Sequence, residues 1–302
     1  MGAIKRRCNF ESPYYYPTDS IKKMIKIEKL QKSYKKIHAL KEISFSVHPG
    51  ELFAYLGPNG AGKTTTIRIL TGLTRRTAGD AWLGGFHIEK ETLKAKKEFG
   101  LVMQSINLDQ ELSIYQNMDI HCRLFNMPCP ERKKKIDEIL SYVDLADRQD
   151  SLVKQLSGGM KRRLMIARAI VHSPRILFLD EPTVGLDPKI RRRIWALIKQ
   201  IQNTGTTIFL TTHYIEEAEF LADRVAFLDE GRIVAIDTPK KLMDQTGTWA
   251  IDQMDENKME TVYFDTRGKA DAFIAKQQES YTLRRVNLED SFLSLTGKKV
   301  QC

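Results

Sequence analysis

The sequence has nothing built to cross a membrane and nothing arranged for covalent stapling. No stretch reaches the roughly eighteen uninterrupted apolar residues of a bilayer span, so a role at a membrane requires a partner chain. Cysteine occurs four times, as Cys8, Cys122, Cys129 and Cys302, with neither a C-x-x-C pair nor zinc-ligand spacing, a usage that suits a reducing cytosol. Heptad runs are missing, so a long coiled coil is not expected. Residues 1–23, which include Pro13, Tyr14, Tyr15, Tyr16 and Pro17, lack both apolar periodicity and the hydrophobic centre of a signal peptide. They read as a loose tail, and Met24, which opens a strand-like run, as a candidate true start.

What remains is a chain of 302 residues, 42% hydrophobic and 28% charged, able to bury a sizeable core as one large domain with or without a small appendage. Lys and Arg number 48 against 38 Asp and Glu. This excess permits a nucleic acid, an anionic lipid or a nucleotide as partner without choosing among them. The basic clusters Lys22 to Lys36, Arg132 to Lys135, Lys161 to Arg163 and Arg191 to Arg193 lie on or beside predicted elements and read mostly as solvated faces.

The chain is organised around Gly57-Pro58-Asn59-Gly60-Ala61-Gly62-Lys63-Thr64-Thr65, a G-x-x-x-x-G-K-[ST] pattern. It stands between the apolar run Glu51 to Leu56, a buried strand, and a helical pattern carrying Ile67, Leu70 and Leu73. Gly60 and Gly62 permit backbone conformations that a β-carbon would block, so loop amides can point together at phosphate oxygens beside a helix N-terminus. In such a cradle Lys63 reaches the β- and γ-phosphates and the Thr64 hydroxyl holds magnesium.

Taken in order, Ile25 to Leu30 alternates like a half-buried strand and Ile43 to Val47 follows as the next, with Pro49-Gly50 turning into the strand of the phosphate loop. Tyr34 either stacks on a nucleotide base or caps a sheet edge. Ala81 to Leu83 and Phe99 to Met103 read as short strands. Gln104 follows the second as a magnesium or water ligand, or as a polar loop residue. Ile114 to Phe125 and Glu131 to Val143 read as helices of an inserted lobe. In Leu156-Ser157-Gly158-Gly159-Met160, Ser157 is placed as an N-cap, and Gly158 and Gly159 expose amides at the start of a helix over Lys161 to Val171: a plain cap or a second anion site. The apolar strand Ile176 to Asp180 then ends in two acids. Asp180 suits a magnesium-holding carboxylate and Glu181 a group that polarises an attacking water. Asp187 precedes a helix over Ile190 to Ile201, and His213 ends the strand that begins at Thr207, where it could donate to a γ-phosphate.

From about Ile25 to Leu242 this series resembles the nucleotide-binding subunit of an ABC transporter. The resemblance implies Tyr34 as the aromatic against adenine, Gly57 to Thr65 as Walker A, Gln104 as the Q-loop glutamine and Leu156 to Met160 as the signature loop. It further implies Asp180 and Glu181 as the Walker B aspartate and catalytic glutamate, Asp187 as the D-loop aspartate and His213 as the switch histidine. Met160 departs from the commoner glutamine. That methionine, the stretch Thr212 to Glu219 and the closing Asn287 to Gly297 are similar to the drug-exporter and daunorubicin-resistance branch, although Val286-Asn287 replaces the usual Pro-Ser or Pro-Thr.

The implied fold is α/β, a phosphate-loop NTPase core with an antiparallel β subdomain, a helical lobe at about 105–172 and a small α+β appendage. The expected division is a tail over 1–23, an ATP-binding domain over 24–242 and the appendage over 243–302. In the appendage, strands are expected at Thr261 to Phe264 and Thr282 to Val286, with helices at Lys269 to Gln278 and at the end. The implied activity is ATP hydrolysis with Mg2+ that powers a membrane exporter through head-to-tail closure of two copies. The expected partners are a separately encoded polytopic permease and a second copy of the chain, with no nucleic acid, at the cytoplasmic face of the cell membrane. The competing reading is a soluble ABC ATPase acting on nucleic acid or ribosomes. One set of motifs, no heptads and no metal-ligand cysteines weigh against it.

Overall fold

The structure is a computed structural model that describes residues 23–255, 258–275 and 281–297. Of the expected tail, residues 1–22 lie outside the described residues, as do residues 276–278 of the helix expected to reach Gln278.

The chain starts with a long hairpin. β1 (Ile25–Tyr34) pairs antiparallel with β2 (Ile37–Val47), and Ile25, Ile27, Leu30, Ile43, Phe45 and Val47 turn inward. Tyr34 is the last residue of β1, where the hairpin extends the pairing to Tyr34 opposite Ile37. β3 (Leu52–Leu56) leaves this sheet and runs through the phosphate loop into α1 (Lys63–Leu70). β4 (Ala78–Leu83) and β5 (Phe86–His87) then return to complete a four-stranded antiparallel sheet in the order β2-β1-β4-β5.

After α2 (Thr92–Lys97), the central sheet is assembled from β6 (Phe99–Val102), β7 (Ile176–Asp180), β8 (Thr207–Thr212), β9 (Arg224–Asp229) and β10 (Arg232–Asp237). Its order is β10-β9-β3-β8-β7-β6, parallel throughout except for the edge strand β10. Every residue of β3, β7 and β8 is buried, as expected of parallel strands covered on both faces. The loops that follow β3, β6, β7 and β8 therefore leave the same end of the sheet, where ligand sites of open parallel sheets form.

Two packed layers hold this end in place. Between the two sheets, Phe45 stacks on Phe53 at 5.2 Å and Phe53 on Phe209 at 5.8 Å, within a core that includes Tyr55 and Phe178. On the other side lies the lobe of α3 (Ile114–Leu124), α4 (Cys129–Tyr142) and α5 (Gly158–Ile170), whose Met118, Ile136, Ile139 and Leu164 share a core with Val102, Leu177 and Leu179. Ser113 begins α3 with a capping box that includes Gln116. β6 can approach α5 because residue 100 is glycine: a β-carbon there would stand 1.9 Å from the Ala169 carbonyl oxygen.

α6 (Pro188–Asn203) and α7 (Ile215–Leu221) follow β7 and β8. α8 (Pro239–Thr246) runs across residue 242, where the sequence suggested a division, and buries Leu242 with Phe227 and Leu288. Beyond it, β11 (Trp249–Asp255), β12 (Lys258–Phe264) and β13 (Tyr281–Arg285) form an antiparallel sheet in the order β12-β11-β13, accompanied by α9 (Arg267–Ile274) and α10 (Leu288–Thr296). Arg284 bridges Asp252 and Asp290 in this unit, and the Leu288 amide donates to Glu219 on α7.

The basic clusters are only partly solvated faces. Arg162 is buried, Arg163 donates to the Val143 carbonyl, and Arg132 and Asp119 join α4 to α3. Each guanidinium finds a backbone or carboxylate acceptor, which allows burial that a charge run alone does not announce.

Candidate active site

The phosphate loop occupies the turn from β3 to α1. Gly62 has φ +114°, and a β-carbon on it would lie 2.7 Å from both the Ala39 carbonyl oxygen and Leu40 Cδ2, so the loop is pressed against β2. The turn between β9 and β10 braces it from the other side, where the Gly231 amide donates to the Ala61 carbonyl and the Lys41 amide to the Gly231 carbonyl. Pro58, Asn59 and Gly60 are exposed at the tip, Gly57 and Ala61 are buried beneath it, and Thr65 is half-buried in the first turn of α1.

Lys63 is 5% exposed and donates to the carbonyls of Gly57 at 2.7 Å and Pro58 at 3.1 Å. Its ammonium also lies 3.5 Å from Glu181 Oε1. Burial lowers the Lys63 pKa from its ordinary value, while the charges of Glu181 and Asp180 oppose that shift. Next to it the Thr64 hydroxyl donates to Asp180 Oδ1 at 3.3 Å, and the Thr211 hydroxyl donates to the same oxygen at 2.6 Å. Burial pushes the Asp180 carboxyl up from its usual range, with Thr211 and Thr64 acting against it. A hydroxyl and a carboxylate side by side are hard oxygen donors of the kind magnesium takes together with phosphate oxygens, so Thr64 and Asp180 fit such an ion.

Glu181 is the meeting point. It is 6% exposed and sits at φ +48°, a left-handed conformation that side chains other than glycine rarely adopt. Its amide donates to the Thr211 carbonyl at 3.0 Å, which fixes that turn to β8. Gln104 Nε2 donates to Glu181 Oε2 at 3.2 Å. His213 Nδ1 comes within 3.1 Å of the same oxygen, yet the nitrogen is buried without a hydrogen-bond partner, so the contact is one of proximity. The segments that follow β3, β6 and β8 thus bring Lys63, Gln104 and His213 to the buried carboxylate of Glu181, which follows β7, beside Thr64 and Asp180. An acid, an imidazole and an ammonium converging there can orient a water and stabilise charge on a transferring phosphoryl group.

Three expected site groups stand elsewhere. Tyr34 is exposed at the hairpin end, its ring under the Lys32 ammonium at 4.6 Å. Ser157 caps α5 by accepting from the Met160 amide at 3.3 Å, exposed together with Gly158, while Gly159 is buried against Ile190. Among the described residues no hydrogen bond or ion pair links Ser157, Gly158 or Gly159 to Gly57–Thr65. Asp187 caps α6 by accepting from the Ile190 amide at 3.0 Å and is exposed.

Sequence reasoning gave no role to Thr211, which holds Asp180 and the Glu181 turn, or to Arg162. Arg162, on α5, donates to the carbonyls of Met103 at 2.8 Å and Gln104 at 3.0 Å and so holds the backbone that presents Gln104. Its position one turn into an otherwise apolar helical face was the available signal, masked by Lys161 and Arg163 on either side.

A family model described as ABC transporter matches residues 40–184. The linearmycin resistance ATP-binding protein LnrL of Bacillus subtilis is 42% identical over 231 residues, 76% of this chain and 74% of that protein. The Nod factor export ATP-binding protein I of Cupriavidus pinatubonensis is 36% identical, across 96% of this chain and 95% of that protein. Among solved structures, CbiO1 of Clostridium perfringens, part of the ABC transporter complex CbiONQ, is similar with TM-score 0.69 and 31% identity, covering 74% of this chain and 91% of that one. The dimeric post-hydrolysis form of the ATP-binding cassette MJ0796, bound to ADP and Pi, is similar with TM-score 0.65 and 30% identity, covering 71% and 98%.

Proposed function

The chain belongs to the ABC transporter family as an ATP-hydrolysing subunit of the exporter type, and we propose that Glu181 is the group around which its hydrolytic site is organised. The observation that carries this reading is the convergence of Lys63, Gln104 and His213 on that one buried carboxylate.

In this reading, the loop amides from Gly57 to Thr65 and the Lys63 ammonium bind the β- and γ-phosphates, and Tyr34 meets the adenine. Thr64 and Asp180, aided by Gln104, would hold magnesium, which would neutralise phosphate charge. Glu181 orients or deprotonates the attacking water, and Gln104 and His213 respond to the γ-phosphate from either side of it. The protein supplies position and charge, which suffice for phosphoryl transfer. Ser157, Gly158 and Gly159 complete the site of a second copy, with the exposed Asp187 at the contact between copies. The dimeric MJ0796 cassette supports this pairing.

The permease partner is assigned to the exposed side of the lobe. There the exposed Ile120 and Leu124 line a groove together with Asn107 and Arg168, and Asn107 lies three residues beyond Gln104. A cytoplasmic helix of a polytopic exporter subunit docked in this groove would hold the chain at the inner face of the membrane and couple Gln104 to transport. The names of the linearmycin resistance and Nod factor export relatives support export as the direction of transport.

The test is to purify the full chain gently from membranes, identify what accompanies it, and measure turnover of wild type, Glu181→Gln and Lys63→Ala. A polytopic partner that raises turnover, retained ATP binding with collapsed turnover in Glu181→Gln, and weakened binding in Lys63→Ala are expected. Ribosomes or nucleic acid as the stimulating partner would overturn transport, and undiminished turnover in Glu181→Gln would overturn the assignment of the acid.

A further inference from the structure

We propose that Glu217, a buried acid on α7 outside the motif residues, is a positioning residue for hydrolysis: its carboxylate ties the turn after Glu181 to the turn that carries His213 and anchors both to α6. This rests on the reading of Glu181 and His213 as the hydrolytic pair.

Glu217 is fully buried. Its Oε1 accepts from the Thr183 hydroxyl at 2.8 Å and from Trp195 Nε1 at 2.8 Å. Thr183 lies two residues beyond Glu181, and Trp195 is on α6, whose N-cap is Asp187. The Thr212 hydroxyl also stands beside the carboxylate, and it accepts from the Tyr214 amide at 2.9 Å, closing the turn around His213. Two cations face this acid from neighbouring elements, Arg191 of α6 and Arg162 of α5, the arginine that holds Gln104. The Arg191 guanidinium lies 4.3 Å from the Tyr214 ring, which is in turn 4.2 Å from the His213 ring.

One carboxylate thus reaches the supports of Glu181, Gln104 and His213, together with the helix that begins at Asp187. Meanwhile Glu217 Oε2 and Arg191 Nε are both buried without a hydrogen-bond partner. An incompletely satisfied buried acid is costly compared with an apolar residue. Its position between two turns and α6 gives that cost a use: the two turns are held at fixed separation, and movement of α6 is felt at both.

The experiment compares the full chain with Glu217→Gln, Thr183→Val, Trp195→Phe and Glu181→Gln, with kcat, KM for ATP and unfolding midpoint measured for each. The amide of Glu217→Gln keeps the shape and an acceptor but removes the charge. Its kcat is expected to fall about tenfold with KM changed less than about twofold and an unfolding midpoint no lower than wild type, since positioning acts on the transition state. Thr183→Val, which removes one tie, is expected to lower kcat in the same sense, and it decides the matter with Trp195→Phe if Glu217→Gln does not fold. Wild-type kcat in the folded variants, or losses that track the unfolding midpoint, would overturn the proposal while a dead Glu181→Gln leaves the site assignment standing. If Glu181→Gln itself turned over normally, the site assignment would fall and this inference with it.

Discussion

Replacing Arg162 with methionine removes the guanidinium that spans the carbonyls of Met103 and Gln104 at the end of β6. The two bonds measure 2.8 and 3.0 Å, and the residue is 5% exposed, so neither acceptor gains easy access to water when the donor is lost. A hydrogen bond to a charged group contributes about 1.5–3 kcal/mol, so two of them set a gross loss of about 3–6 kcal/mol. Against this stands the desolvation that methionine avoids, the same burial that lowers the Arg162 pKa. The net expectation is a stability loss of about 2–4 kcal/mol. The backbone of Gln104 would also loosen relative to Glu181, so kcat should fall about tenfold at a temperature where the variant is still folded. Urea unfolding followed by tryptophan fluorescence gives the first quantity and an ATPase assay the second. Arg162→Lys should be nearly as impaired, because a single ammonium cannot match the planar fork across two carbonyls. A methionine variant as stable and as active as wild type would refute the reasoning.

Gly62→Ala should weaken ATP binding measured by calorimetry and lower the unfolding midpoint, since φ +114° and a 2.7 Å contact with the Ala39 carbonyl oxygen leave no room for a β-carbon. Gly100→Ala should destabilise the chain by forcing β6 and α5 apart at Ala169, and should lower kcat as well, because the same helix holds Gln104 through Arg162. Acid should act through the lobe. Burial holds His121 and His172 at about 4, below the ordinary 6.5, so the unfolded chain takes up the extra protons as pH falls through that window. Stability then declines by up to about 1.4 kcal/mol per pH unit for each imidazole, and His172→Gln should flatten the acid limb in a pH series of unfolding midpoints. Leu124→Glu, at a 73% exposed position, should leave stability within about 0.5 kcal/mol of wild type but reduce co-purification of the proposed membrane partner.

The parts of the fold that could be read in advance are those whose signal is local. Glu51 to Leu56 and Ile176 to Asp180 are apolar runs that only a doubly covered strand accommodates, and Ser157 and Asn287 announce their helices through cap chemistry that needs no tertiary context. β9, β10 and β11 went unread. β10 is an edge strand of mixed polarity, and β11 places the acid Asp252, bound to Arg284 of β13, beside the buried Ala250 and Ile251, so their patterns resolve only against their neighbours. Arg162 and Glu217 were hidden for a related reason. Each sits inside a charge run, Lys161 to Arg163 or Glu216 to Glu219, and which member turns inward depends on acceptors and donors contributed by other elements. The expected site residues on β3, β6, β7 and β8 lie together because parallel strands deliver their following loops to one edge. Ser157 lies apart from them because it starts a helix of the lobe.

The separation of the Ser157 cap from the Lys63 loop has a genetic consequence. If each site draws one half from either copy, a chain disabled at Lys63 and a chain disabled at Ser157 are both silent when expressed alone. Mixed in one cell they form a hybrid pair in which both lesions fall on the same site and the other is whole. Two null alleles of this single gene would then complement each other, whereas two alleles both disabled at Lys63 would not.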